Sequence, residues 1–164
     1  MNLPHTQFPV WFLPVGTSLQ NVALSLIIGG MLILGAFVAP VVFRNVVEPA
    51  AGDIMSPIFK RYDTLLLVCV CLLLIGEALR VLILGCPCLE LGRETVRLVV
   101  WAALVGLLLY SVYGVNAQIY AMHQAGTHVD PEHLAQFSKV HKLSEQLFKT
   151  ECLLGLILLV LNTL

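Results

Sequence analysis

Residues 1–43, 64–76, 98–129 and 152–164 of this chain contain no Asp, Glu, Lys or Arg. No other feature limits the fold as strongly. A water-soluble domain covers its surface with charge and carries about a quarter charged residues. Here the charged share is 12% and the hydrophobic share 59%. Uncharged runs of this length fit hydrocarbon, where a spanning helix needs roughly 20 apolar residues and pairs its backbone polar groups within itself. The expected fold is all-α, an integral membrane four-helix bundle in one domain. A net charge of −1 offers no electrostatic footprint for nucleic acid.

Read from the N-terminus, residues 1–16 hold Pro4, Pro9 and Pro14 with Phe8, Trp11 and Phe12. Prolines so spaced disfavour a continuous helix, and the aromatic rings suit a segment lying at the membrane interface. The segment lacks Lys and Arg, so the basic start of a cleaved signal peptide is missing and the first helix reads as a retained anchor. Thr17 or Ser18 can cap that span, which covers about residues 19–43, with Pro40 predicting a kink or early end. Ser56-Pro57 reads as a cap followed by proline at the first helical position, opening a helix that spans at about 64–84 and stops at Gly85. The third span is 95–115, and nothing breaks that helix before Gly126. Asp130-Pro131 opens the fourth helix, with its span at 143–164. Helices three and four therefore form a long hairpin whose polar tip, residues 116–141, projects beyond the membrane.

Lys and Arg near span ends set orientation. Loop one and the hairpin tip side carry Arg44, Lys60, Arg61, Lys139, Lys142 and Lys149, whereas Arg80, Arg93 and Arg97 lie on the other side. The bias puts both termini outside the cytoplasm, in a plasma (inner) or other energy-transducing membrane. Small residues four apart let membrane helices approach: Ser25 and Gly29 with Gly30, Gly35 and Ala36, then Ala102, Gly106 and Gly114, then Gly155. They predict a tight bundle, and any surplus small face can dock a partner.

Ionisable groups inside a membrane are the first functional candidates. Glu77 precedes Arg80 by three residues, a spacing that permits an ion pair, and Arg97 can join it. Two readings attach to this group: an internal pair that fixes helix register, and a proton or cation site. Glu151 lies about 20 Å from the C-terminus along the helix, level with Tyr110, which predicts a Tyr110–Glu151 hydrogen bond, while Lys149 snorkels to the interface. His123, His128 and His133 recur around the hairpin tip, with His141 beyond them; imidazoles there can take a metal or a pigment, although a spacing of five is not one helical face. Cys86 and Cys88 share a loop and can bind copper or oxidise. Cys69, Cys71 and Cys152 fall in spans, so no disulfide framework emerges. No phosphate-binding loop, H-E-x-x-H, G-x-S-x-G or C-x-x-C is present, and without them catalysis is not expected.

Gly35-Ala-Phe-Val-Ala39-Pro40-Val-Val-Phe43, then Ala51-Gly52, Phe59 and Tyr62, resembles the signature of small four-helix membrane proteins of the transmembrane protein 205 type (domain of unknown function 4149). Phe137, His141 and Ser144 resemble a second element of that family, which often continues with Asn four residues after the Ser; here that residue is Phe148. The resemblance covers about residues 19–160. It implies fold and membrane location but no settled activity.

Three functional readings remain, in this order. The first is a non-catalytic accessory or scaffolding subunit of a larger membrane complex, photosynthetic or respiratory among the options, with membrane lipid and other transmembrane subunits as partners. The second is a transporter or channel for a small solute, metal ion or proton. The third is a haem-, chlorin- or copper-binding membrane protein; bound lipid or pigment is the non-protein component these readings allow.

Overall fold

The computed structural model describes residues 12–47, 50–84, 92–126 and 134–163. They form four rods. Rod one joins helix α1 (Phe12–Leu32), a π-helical stretch (Ile33–Val38) and α2 (Ala39–Asn45). Rod two is α3 (Ala50–Leu84). Rod three joins α4 (Arg93–Tyr110), a second π-helical stretch (Ser111–Asn116) and α5 (Ala117–Gln124), and rod four is α6 (Leu134–Thr163). Each is long and apolar enough to cross a membrane. Rod one packs on rod two and rod four, rod four on rod three, and rod three closes the ring against rod two. The result is an up-down-up-down bundle.

Leu24, Ile27, Met31, Leu73, Leu104, Leu108 and Leu158 are among its largest fully buried apolar side chains. Lipid tails are as apolar as leucine, so close packing and buried polar contacts hold such helices together. The tightest approach is between α1 and α3. A Cβ on Gly76 would come within 2.7 Å of the Gly16 carbonyl oxygen, and one on Gly16 within 2.8 Å of the Gly76 carbonyl. The two backbones touch there, and only glycine fits. Gly30 makes room for the Tyr62 ring, into which a Cβ would run, and Tyr62 donates a 2.7 Å hydrogen bond to the Ile27 carbonyl.

Several helix ends differ from the sequence expectation. α1 begins at Phe12, so Thr17 and Ser18 lie inside it rather than capping it. Pro14 falls in the first turn, where the missing N–H has no helical partner to lose. Pro40 does not end rod one. The chain widens into the π-helical stretch just before it, the Ala39 N–H reaching back to the Leu34 carbonyl, and then continues to Asn45. Such a widened turn accommodates the clash and the lost donor of an interior proline. α3 starts at Ala50, not Ser56, and carries Pro57 internally. The Asp53 carbonyl that Pro57 leaves without its usual donor belongs to an exposed residue, so water can satisfy it.

Rod three continues unbroken to Gln124, and Gly126 adopts φ +69° immediately beyond, a left-handed conformation that favours glycine. The shortest rod, 30 residues, is about 45 Å long at helical rise, against ~30 Å of hydrocarbon. The hairpin of rods three and four therefore projects. The first turns of α3 run beside it, since Gly52 lies against the His123 ring. The N-terminal residues 1–11, the Cys86–Cys88 loop with Gly85, and Asp130, Pro131, His128 and His133 lie outside the described residues.

Candidate functional site

The strongest concentration of charge forms at the end of the bundle where α1 and α4 begin and α3 and α6 finish. Arg97 sits one turn inside α4 and is 1% exposed. Its two terminal nitrogens donate to the two carboxylate oxygens of Glu77 at 2.9 and 2.7 Å, a two-pronged geometry that suits guanidinium and carboxylate. Gln20 of α1 donates to the same carboxylate at 2.8 Å. The Gln20 side-chain oxygen accepts from Asn162 of α6 at 3.1 Å. The buried pair thus joins three rods directly and reaches the fourth through Gln20.

The expected Glu77–Arg80 pair does not form. Arg80 points one step further toward the bundle end, donating to Glu94 at 3.0 Å and to the Thr17 hydroxyl at 2.8 Å. Glu94 also accepts from Arg97 Nε at 2.9 Å. Glu77 is instead filled by Arg97 and Gln20, which reach it from other helices. No motif in the sequence marks Glu94. Its position three residues before Arg97 was the available signal, obscured because it lies at the rim of the charge-free run.

A second polar layer occupies the other half of the bundle. Asp63 accepts from Asn116 at 3.0 Å and from the Tyr120 hydroxyl at 2.6 Å, and Ser144 donates to the Asn116 side-chain oxygen at 3.2 Å. Asp63, Asn116 and Tyr120 were also unforeseen, because residues 53 apart or more in sequence are joined only by the fold. Further toward the hairpin tip, His123 and Asp53 meet at 2.9 Å.

Glu151 lies between the layers and is 1% exposed. The expected bond to Tyr110 is absent, since Tyr110 is 53% exposed and faces outward. The next residue, Ser111, opens the second π-helical stretch, is buried facing inward, and lies beside Glu151. One helical step of about 100° separates the two directions. Oε1 of Glu151 has no partner among the described residues.

The family-motif residues serve the fold at several points. Ala39 and Pro40 follow the first π-helical stretch. Gly52 faces His123, Tyr62 ties α3 to α1, and Ser144 joins the Asp63 layer. Phe59 is half-buried and Phe43 exposed. Phe137 stacks on His141 with ring centres 6.0 Å apart. Phe148, the departure from the family pattern, lies against Gly35, where a Cβ would come within 2.9 Å of its ring.

Of the weak metal candidates only His123 lies among the described residues, where no three of His, Cys, Asp and Glu converge. Cys69 is buried, Cys71 exposed and Cys152 half-buried, all three as free thiols. An open cleft of about 620 Å³ sits over the charged end, bordered by α1, Arg80, Arg93, Glu94 and Asn162.

The model of a family described as a domain of unknown function, DUF4149, matches residues 22–133. No curated protein and no solved structure matches the chain. The matched region takes in the first three rods almost entirely, including Pro40, Tyr62, Asp63, Glu77 and Arg97, and the chain belongs to this family of unknown function.

Proposed function

We propose that this protein is a non-catalytic accessory or scaffolding subunit that holds neighbouring transmembrane helices of a larger complex in an energy-transducing membrane. The observation that carries the reading is where the small residues point. Gly29 and Gly106 have nothing within 4 Å of an added Cβ, and Ser25, Ala102 and Ala103 beside them are exposed. Two of the small-residue rows therefore face away from their own bundle. In lipid, such rows let a foreign helix backbone approach closely, which is how membrane helices associate. The principal ion network supports a rigid frame, because Glu77 and Arg97 are saturated by partners within the chain.

Affinity purification in mild detergent followed by blue-native electrophoresis tests this. The native chain is expected to migrate in a larger complex, and Gly29→Leu or Gly106→Leu to release it without lowering its own melting temperature. A monodisperse free monomer from native membranes would sink the proposal.

A second reading, passage of a proton or small cation, draws on one observation: Glu151 is buried with an unpartnered oxygen. Flux through reconstituted protein that is unchanged in Glu151→Gln would remove its basis.

A further inference from the structure

The residues that line the cleft over the charged end carry unmet hydrogen-bonding capacity of both signs. Arg80 Nε and Asn162 Oδ1 are buried, have no partner, and belong to residues that line the same cleft. Arg80 is 8% exposed, and its other contacts, to Thr17 and Glu94, hold the guanidinium in place. A buried N–H or carbonyl without a partner costs free energy comparable to a lost hydrogen bond, and both groups belong to side chains on the cleft wall, so a molecule seated there gains two hydrogen bonds once those side chains turn slightly toward it. That molecule must offer an acceptor to Arg80 and a donor to Asn162.

Charge narrows the class. Arg80, Arg93 and Arg97 stand against Glu77 and Glu94 in this network, leaving one positive charge in excess. Arg93 is the loosest member, with a side chain 52% exposed and a 3.7 Å contact to Glu94. The cleft also lies at the start of α4, where the helix dipole favours negative charge. Thr17 accepts from Arg80 through its oxygen, so its hydroxyl hydrogen can be donated elsewhere.

Size and lining narrow it further. A volume of about 620 Å³ falls in the ~300–1,000 Å³ range of ligand sites and far exceeds one inorganic anion. Leu13, Pro14 and Leu161 supply an apolar side to the cleft, and beyond them Val15 and Val160 are exposed on the bundle surface. An acyl chain leaving the cleft would run along apolar protein.

We infer that the cleft binds a phosphate-bearing group that also carries a hydroxyl or amine donor, as a phospholipid headgroup does, with Arg80 and Arg93 on the phosphate and Asn162 accepting from the donor. Native mass spectrometry and thermal-shift measurements on delipidated protein test it, with phosphatidylglycerol, phosphatidylcholine and inorganic phosphate as separate probes. Phosphatidylglycerol is expected to bind and stabilise. Arg93→Gln and Asn162→Ala are each expected to weaken its binding about tenfold, the scale of one charge-assisted or buried hydrogen bond. Arg44→Gln, at the opposite end of the bundle, is expected to leave binding unchanged. Arg93 is too exposed for its loss to unfold the chain, and an unaltered melting temperature without lipid checks this. A saturable shift from inorganic phosphate that Arg93→Gln abolishes would support the phosphate chemistry with a soluble source. Equal binding of phosphatidylcholine and phosphatidylglycerol, or full binding by both variants, would overturn the inference.

Discussion

Replacing Glu77 by Leu tests the central claim about what holds the four rods in register. The substitution removes two hydrogen bonds of 2.7 and 2.9 Å to a guanidinium that is almost wholly buried, and it strips Gln20 of its acceptor. Removing one partner of a buried ion pair typically costs about 3–5 kcal/mol, because the other charge is left without compensation. Glu94 still holds Arg97 Nε at 2.9 Å, but its side chain is 33% exposed and makes up only part of the loss. The expected cost is the lower figure, about 3 kcal/mol. For a chain of this size that corresponds to a fall in melting temperature of roughly 6–12 °C, read by circular dichroism on protein in lipid nanodiscs. Adding Arg97→Met removes the stranded charge, and apolar replacement of a buried pair is often nearly neutral. The double variant is therefore expected to melt above the Glu77→Leu single. A single-variant loss under about 1 kcal/mol, or a double variant whose loss is the sum of the two singles, would refute the reasoning.

The same melting assay separates adjacent glycines. Gly30→Ala drives a Cβ into the Tyr62 ring and breaks the bond to the Ile27 carbonyl, an overpacking loss of about 1–3 kcal/mol. Gly29→Ala meets nothing and is expected to be neutral or slightly stabilising, since alanine is the better helix former. Gly76→Val places side-chain carbons against the Gly16 carbonyl, and a cysteine pair introduced across the α1–α3 contact should then lose cross-linking efficiency. Tyr120→Phe removes the 2.6 Å bond to Asp63, costing about 1.5–3 kcal/mol as expected for a bond to a charged acceptor. A reporter fused beyond Leu164 is expected to be active only outside the cytoplasm, and cytoplasmic activity would reverse the orientation read from the Lys and Arg distribution.

The sequence made the number and class of helices legible because lipid solvation demands long uncharged runs, and residues 98–129 or 152–164 admit little else. Family membership was legible in the Ala-Pro-x-x-Phe stretch and the glycines that follow. Helix starts were less so. Pro14 and Pro57 look like boundaries, yet one sits where a first turn loses nothing and the other where its orphaned carbonyl belongs to an exposed residue. The pairing of charges was the least legible part. Glu77 and Arg80 share a helix at a permissive spacing, but partners from two other helices fill Glu77 first. Tyr110 and Ser111 differ by one position, and only the π-helical turn and the packing decide which of them looks toward Glu151. Gly29 and Gly30 are likewise indistinguishable in one dimension, although one clasps an aromatic ring and the other faces outward.

The leucines between the two polar layers have an electrical consequence. Leu24, Leu73, Leu104, Leu108 and Leu158 are fully excluded from solvent, and from Glu77 to Asp63 the chain rises about 20 Å along α3. Hydration of an ion cannot be replaced by such walls, and transferring a bare charge into so dry a medium costs on the order of 20 kcal/mol. For a bare charge these walls form a barrier between the two polar layers of a single copy, relieved among the described residues at Glu151 and Ser111.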